Sequence, residues 1–202
     1  MKTLVHHMNE ALKIGKNLSK FSAYSCQPKT KDELKSIIKS RIAEEGPNCD
    51  LNNIDVSKIT DMSYLFDDSN FNGDISRWNV SNVEDMMGMF YESSFNGDIS
   101  NWDTRNVQDM CGMFKFAPFN QDISRWNVSN VEDMASMFSY ANFNKDISKW
   151  NVLKVDSMES MFFKSKFNQD ISNWKIRENC ITDRIFTDCP IKEEYKPKSL
   201  QK

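Results

Sequence analysis

Histidine is almost absent from this chain: His6 and His7 are the only copies, and both stand near the N-terminus. The rest of the sequence therefore has no imidazole for general acid–base work or for a metal site. No P-loop, G-x-S-x-G, H-E-x-x-H or G-x-G-x-x-G motif is present either. Apolar residues make up 39% of the chain, yet no run approaches the roughly 20 that a membrane-spanning helix requires. Cysteine is sparse, odd in number and irregular in spacing, at Cys26, Cys49, Cys111, Cys180 and Cys189. That pattern does not make a disulfide framework, and reduced thiols are expected. Met1 to Lys16 places His6, His7, Asn9 and Glu10 where a secretory signal needs apolar residues, so a cytoplasmic location is expected.

Tryptophan, by contrast, is scarce but placed with strict regularity. Trp78, Trp102, Trp126, Trp150 and Trp174 are the only five, each 24 residues from the next. The register extends well beyond them. Phe71, Phe95, Phe119, Phe143 and Phe167 stand seven residues before each Trp. Each Phe is followed by an Asn, and two residues later by an Asp (Asn72 and Asp74 in the first full copy). Val83, Met86 and Met89-Phe90 follow Trp78, and later copies repeat them. The unit reads F-N-x-D-I-S-x-W-N-V-x-x-V-x-D-M-x-x-M-F. Its end copies are degenerate: Ile54 replaces Trp at the start, and Asn179 and Thr182 replace Val and Met at the end. Imperfect terminal units are expected of a stacked array, because each end lacks one neighbour.

The spacing predicts a short strand and a short helical turn per unit. Trp78 and Val80 are two apart and share one side of a strand. Val83, Met86 and Met89 are three apart, which suits a tight helical turn. Ser81 with Glu84, and Ser129 with Glu132, have the spacing of capping boxes. The expected fold is an α/β solenoid, leucine-rich-repeat-like. About six 24-residue coils would present a parallel sheet on one face and short helical turns on the other. The tryptophans would stack in one buried ladder.

These units resemble the repeats of the BspA-like leucine-rich-repeat surface proteins, over roughly Asp50 to Cys189. The resemblance implies a curved solenoid that binds proteins or mediates adhesion, usually at a cell surface, and has no catalytic residues. It therefore gives the cell surface or a virion as an alternative location.

The chain divides at the ends of the array. Residues 1–27 read as a polar N-terminal segment, weakly helical or mobile. Residues 28–48 hold a capping helix: Thr30-Lys31-Asp32-Glu33 opens it, Leu34, Ile38 and Ile42 stripe it, and Gly46-Pro47 closes it. That stripe would cover the open first coil rather than seize a partner. Residues 49–190 form the array, and 191–202 a charged tail expected to fray.

Charge is unevenly spread. The net charge is −3, but residues 1–53 carry +3 and residues 191–202 carry +2, leaving −8 on residues 54–190, nearly the whole array. Such an array is not expected to bind nucleic acid. The residues flanking Trp and Val reverse this sign. Arg77, Asn79, Asn101, Arg105, Arg125, Asn127, Lys149, Asn151, Lys175 and Arg177 form a basic, Asn-rich face, expected to bind an acidic protein or glycan partner. The recurring Asn72 and Asp74 corner invites calcium, but one carboxylate per corner is too few. Backbone N–H groups at each turn are the expected partners of these side chains. No cofactor, metal or membrane insertion is expected, and a monomer is expected. Because the acids recur in equivalent places, none stands out as a catalytic group, and the chain is not expected to be an enzyme. It reads as a non-catalytic interaction scaffold, or alternatively as a structural subunit of a larger cellular or viral particle.

Overall fold

A computed structural model describes residues 25–202; the expectation for residues 1–24 lies outside the described residues. Successive 24-residue units stack in register. Parallel bridges link Asp61 to Asp85, Asp85 to Asp109, Asp109 to Asp133, Asp133 to Ser157, and Ser157 to Ile181. The sequence placed its strand at Trp78–Val80 and a helical turn over Val83–Met89. The recurring bridges lie instead at the Asp of the Asp-Met step, and no residue of the array is helical.

The hydrogen bonds give the reason. Across the Met-Phe segment, alternate residues donate to the next unit: Met86 to Asp109 O, Gly88 to Cys111 O, Phe90 to Met113 O and Glu92 to Lys115 O, all at 2.8–2.9 Å. The residues between them turn back within their own unit, as Met89 does to Met86 O and Tyr91 to Gly88 O. This alternation needs left-handed backbone at two places per unit. One is the column of Tyr64, Gly88, Gly112, Ser136, Ser160 and Arg184; the other is Asp68, Glu92, Phe116, Tyr140, Lys164 and Asp188. A helix cannot hold positive φ every fourth residue, so the three-residue Met spacing encodes a turn train instead. Ser81 and Glu84 form no capping box. The Ser81 N–H donates to Asn79 Oδ1, and the Glu84 N–H donates to Thr60 O.

At the tryptophan, side chains take over the linking role. Each Trp N–H on the main chain closes a turn to the Ile three residues earlier. Each indole Nε1–H reaches the preceding unit: Trp78 to Leu51 O, Trp102 to Ile75 O, Trp126 to Ile99 O, Trp150 to Ile123 O and Trp174 to Ile147 O, at 3.0–3.2 Å. The five indoles are buried. Neighbouring rings lie nearly parallel, as Trp78–Trp102 at 6.5 Å and 3°. Two phenylalanine columns pack beside them. Within a unit step the rings stack closely, as Phe114 on Phe119 at 3.9 Å, and along the array they repeat, as Phe90 over Phe114 at 5.5 Å. Methionines fill the remaining core (Met86, Met110, Met134 and Met158 are fully buried).

Both ends are covered. The Lys31–Glu45 helix is capped by Thr30, whose Oγ1 accepts from the Glu33 N–H. Leu34 and Ile38 are buried against the first unit, and Ile42 is partly so. Lys31 and Lys35 tie the helix down through Asp61 at 2.7 Å and Asp67 at 2.9 Å. Ser25 to Gln27 also pair with the first unit, through a parallel bridge from Cys26 to Ile54. At the other end the charged tail does not simply fray. It forms two 3₁₀ turns, Glu193–Tyr195 and Lys198–Leu200, with Ile191 and Pro197 buried against the last unit. The tail's pattern hid this because its few apolar residues are spread among lysines and glutamates.

Two outcomes follow. Trp126→Ala should destabilise by about 3–5 kcal/mol, since it removes a large buried ring and leaves Ile99 O without its donor; Trp126→Phe should retain part of that loss in chemical denaturation. A chain lacking residues 1–48 should aggregate on size-exclusion chromatography with light scattering, because Leu51, Ile54 and Leu65 would lose their cover.

Candidate interaction surface

The corner that the sequence offered to calcium is occupied by the chain's own donors. Asn72 Oδ1 accepts from Asn96 N–H at 2.8 Å, Asn96 from Asn120, Asn120 from Asn144, Asn144 from Asn168, and Asn168 from Lys192. This asparagine ladder runs the length of the array. Each corner Asp accepts from the N–H two residues on, as Asp122 Oδ1 does from Ser124 at 2.9 Å. Those bonds favour the ionised carboxylates and hold Asp122, Asp146 and Asp170 below the usual carboxylate range.

A second aspartate column contains one carboxyl that is shifted the other way, Asp109. Asp85, Asp109 and Asp133 sit at the parallel bridges, one above the other, and each accepts from the N–H two residues on. Burial raises the carboxyl of Asp109 above its usual range, and the charges of Asp133 and Asp85 add to the effect. Burial likewise pushes the Cys111 thiol up to about 11, with Asp133 and Asp109 contributing. The other four thiols are also raised, chiefly by burial, and no cysteine is in a disulfide. Such thiols are poor nucleophiles at neutral pH.

The basic residues flanking the tryptophans fall into three columns: Arg77, Arg125 and Lys149 just before Trp, Lys175 just after it, and Arg105 and Arg177 three residues after it. All ten residues picked out from the sequence are exposed. They lie on the Ser76–Arg77 and Ser81–Asn82 turns of their units and on the extended step between, rather than on a hydrogen-bonded strand. Their side chains are not equivalent. Arg105 pairs with Asp103 at 2.9 Å, Arg177 with Asp156 at 2.6 Å, and Arg77 more loosely with Asp50 at 3.7 Å. Arg125, Lys149 and Lys175 have no carboxylate partner among the described residues. Asn79 and Asn127 use Oδ1 to accept from the N–H and hydroxyl of Ser81 and Ser129, and Asn151 Oδ1 accepts from the Leu153 N–H. Part of their role is therefore to build the turn, which an N-x-S spacing signals. Asn101 makes no side-chain bond among the described residues.

Sequence reasoning missed a neighbouring polar column. Asn82, Asn106 and Asn130 donate from Nδ2 to Ser57 O, Ser81 O and Arg105 O of the preceding unit. Asn106 and Asn130, with Glu84, Gln108, Glu132 and Lys154, line a shallow groove of about 340 Å³. The recurrence of asparagine one residue after the Ser81 position was a visible signal.

These features define a tandem-repeat protein whose units bond through both backbone and side chains. The family model described as "Mycoplasma protein of unknown function, DUF285" matches residues 35–141 and 95–196. The chain belongs to this family. No curated protein and no solved structure matches it.

Asp109 and Asp122 should titrate with opposite sign. A raised carboxyl such as Asp109 weakens the fold above its own titration, and that penalty is relieved as pH falls through it. Asp109→Asn keeps the acceptor for the Cys111 N–H, so it should raise Tm near neutral pH, with the gain shrinking towards about pH 4. A depressed carboxyl such as Asp122 contributes stability above its unfolded value, lost as pH falls below that. Asp122→Asn should flatten the acid limb of a Tm-versus-pH curve.

Proposed function

We propose that the array is a leucine-rich-repeat-like solenoid of the BspA-like kind and acts as a non-catalytic scaffold that binds an acidic partner protein. The observation that carries this reading is the sign of the exposed columns. Arg125, Lys149 and Lys175 are exposed cations in no ion pair among the described residues, on an array that is otherwise acidic, and they sit in adjacent units. A cluster of this kind steers an acidic surface and fixes its register, while the surrounding acids repel other polyanions. The asparagine oxygens beneath them are already committed to turns, which leaves the cationic heads as the variable, presented groups. The same ordering makes the surface rigid, so a partner that binds it sacrifices little conformational freedom in the scaffold.

The test is a pull-down from the native host with mass spectrometry, comparing the full chain with two charge reversals. Arg125→Glu with Lys149→Glu should remove the partner that the unaltered chain retains, with melting unchanged because neither side chain enters the core. Glu84→Lys should keep it. Retention should fall steeply between low and physiological salt, where exposed charges are screened over about 8 Å. Loss of the partner with Glu84→Lys and its retention with the Arg125/Lys149 variant would move the binding surface to the Asn106–Glu132 groove.

A further inference from the structure

We propose that a second surface, on the Met-Phe turns and separate from the basic columns, docks an extended segment of a partner protein that is both acidic and apolar. Four aromatic rings run across four successive units there. Tyr91 meets Phe116 edge-on at 6.1 Å and 90°, Phe116 stacks on Tyr140 at 4.5 Å, and Tyr140 meets Phe163 at 5.4 Å and 70°. Cations are threaded between them. Lys115 Nζ lies 5.8 Å and 5.5 Å from the Tyr91 and Phe116 ring centres, and Lys164 Nζ lies 5.4 Å from both Tyr140 and Phe163. Arg184 covers Phe163 at 4.4 Å.

Folding does not account for these rings. Phe116 and Tyr140 are each 42% exposed. Both hold left-handed backbone, at φ 62° and 58°, where a side chain is strained and glycine or asparagine is favoured. Equivalent places in other units hold Asp68, Glu92, Lys164 and Asp188, so the architecture makes no demand for an aromatic there. Two adjacent exposed aromatics on strained backbone, continued on each side by the half-buried Tyr91 and Phe163, are what a binding surface requires and a solvated turn does not.

The geometry also selects the chemistry. Neighbouring rings and the lysine and arginine heads lie against these rings, which leaves less face for a sugar or a nucleobase to stack on than unpaired rings would offer. The strip sets exposed rings, whose edges carry the positive end of the aromatic quadrupole, beside ammonium groups. Both attract carboxylates. In the central units the two columns hold Lys115, Phe116, Ser139, Tyr140, Phe163 and Lys164 and no acid; Glu92 and Asp188 stand at the two ends. The column beside them narrows to Gly112, Ser136 and Ser160, and a β-carbon on Gly112 would meet nothing within 4 Å, so the strip is open to a chain laid along it. Four units at about 4.8 Å spacing span roughly 15–20 Å, the length of about five or six extended residues.

The test measures binding of fluorescein-labelled peptides of about eight residues to the full chain by anisotropy. An alternating Glu-Leu peptide should bind. An alternating Glu-Ser peptide of equal charge, and a Lys-Leu peptide of equal apolarity, should bind at least roughly tenfold more weakly. Phe116→Gly with Tyr140→Gly, which suits the left-handed backbone, should lose roughly tenfold in affinity with an unchanged or raised Tm. Lys115→Glu with Lys164→Glu should lose at least as much, and decides the matter if the glycine variant melts early. Arg125→Glu with Lys149→Glu should change this binding by less than about twofold, so that this surface and the basic columns stand or fall separately. The proposal is overturned if Glu-Ser binds as well as Glu-Leu, or if the strip variants keep their affinity. It is also overturned if a sulfated polysaccharide or single-stranded oligonucleotide displaces the peptide at lower concentration, or if the glycine variant abolishes a concentration-dependent dimer, which would make the strip a contact between copies of this chain.

Discussion

Each unit of this array carries backbone groups that it cannot satisfy alone, and the rest of the structure follows from how the next unit supplies them. On the Met-Phe side the answer is main chain to main chain, with every second residue donating across the step. On the tryptophan side it is side chain to main chain: the indole N–H, the Asn72-type carboxamide and the Asn82-type amide each cross to an adjacent unit. A buried carbonyl left without a donor is expensive, so these three side chains are as constrained as the core itself. The 24-residue period is the condition that keeps all of them in reach at once. An insertion of one residue would move every crossing bond of its unit out of register.

That linkage explains the composition. Tryptophan supplies apolar area to the core and a donor to the neighbouring unit from one side chain, which phenylalanine cannot do. Asparagine supplies an acceptor to the following unit at the F-N corner and a donor to the preceding one at Asn82. Aspartate supplies an acceptor that folds the chain two residues on. The polar residues that looked like a candidate metal corner are spent on turns, whereas the exposed charges between them have no structural partner in several units. Arg125, Lys149 and Lys175 are such residues on one surface, and Lys115 and Lys164 on another, where they engage aromatic faces instead of carboxylates. The array thus separates residues that build from residues that face outward, column by column.

Growth of such a stack must be stopped at both ends. The first unit is closed by the Lys31–Glu45 helix and by Ser25 to Gln27, which donates and accepts along the exposed edge. The last is closed by the tail, where Lys192 N–H takes the final asparagine of the ladder and the Ile171 N–H donates to Tyr195 O. An open end would present apolar side chains and unpaired backbone to another copy.

The sequence by itself determined the period, the core and the first cap. Trp78 to Trp174, the Phe columns and the methionines recur in register, and recurrence of large apolar residues has few causes other than a shared interior. Thr30, Leu34, Ile38 and Gly46 spell out a helix through local chemistry alone. The corner asparagines and aspartates were also legible as turn residues, because their side chains bond within a few residues or to an identical neighbour. The tertiary structure decided where the units pair. Spacing of two at Trp78–Val80 suggested a strand and spacing of three at Val83–Met89 a helical turn, yet the main-chain bonds run through the second segment and the side-chain bonds through the first. Spacing records which residues face the core; it does not record which carbonyls the neighbouring unit brings within 3 Å. The aromatic strip was hidden for a related reason: Tyr91, Phe116, Tyr140 and Phe163 do not share one repeat position, and only the stacking of units at staggered columns brings their rings together.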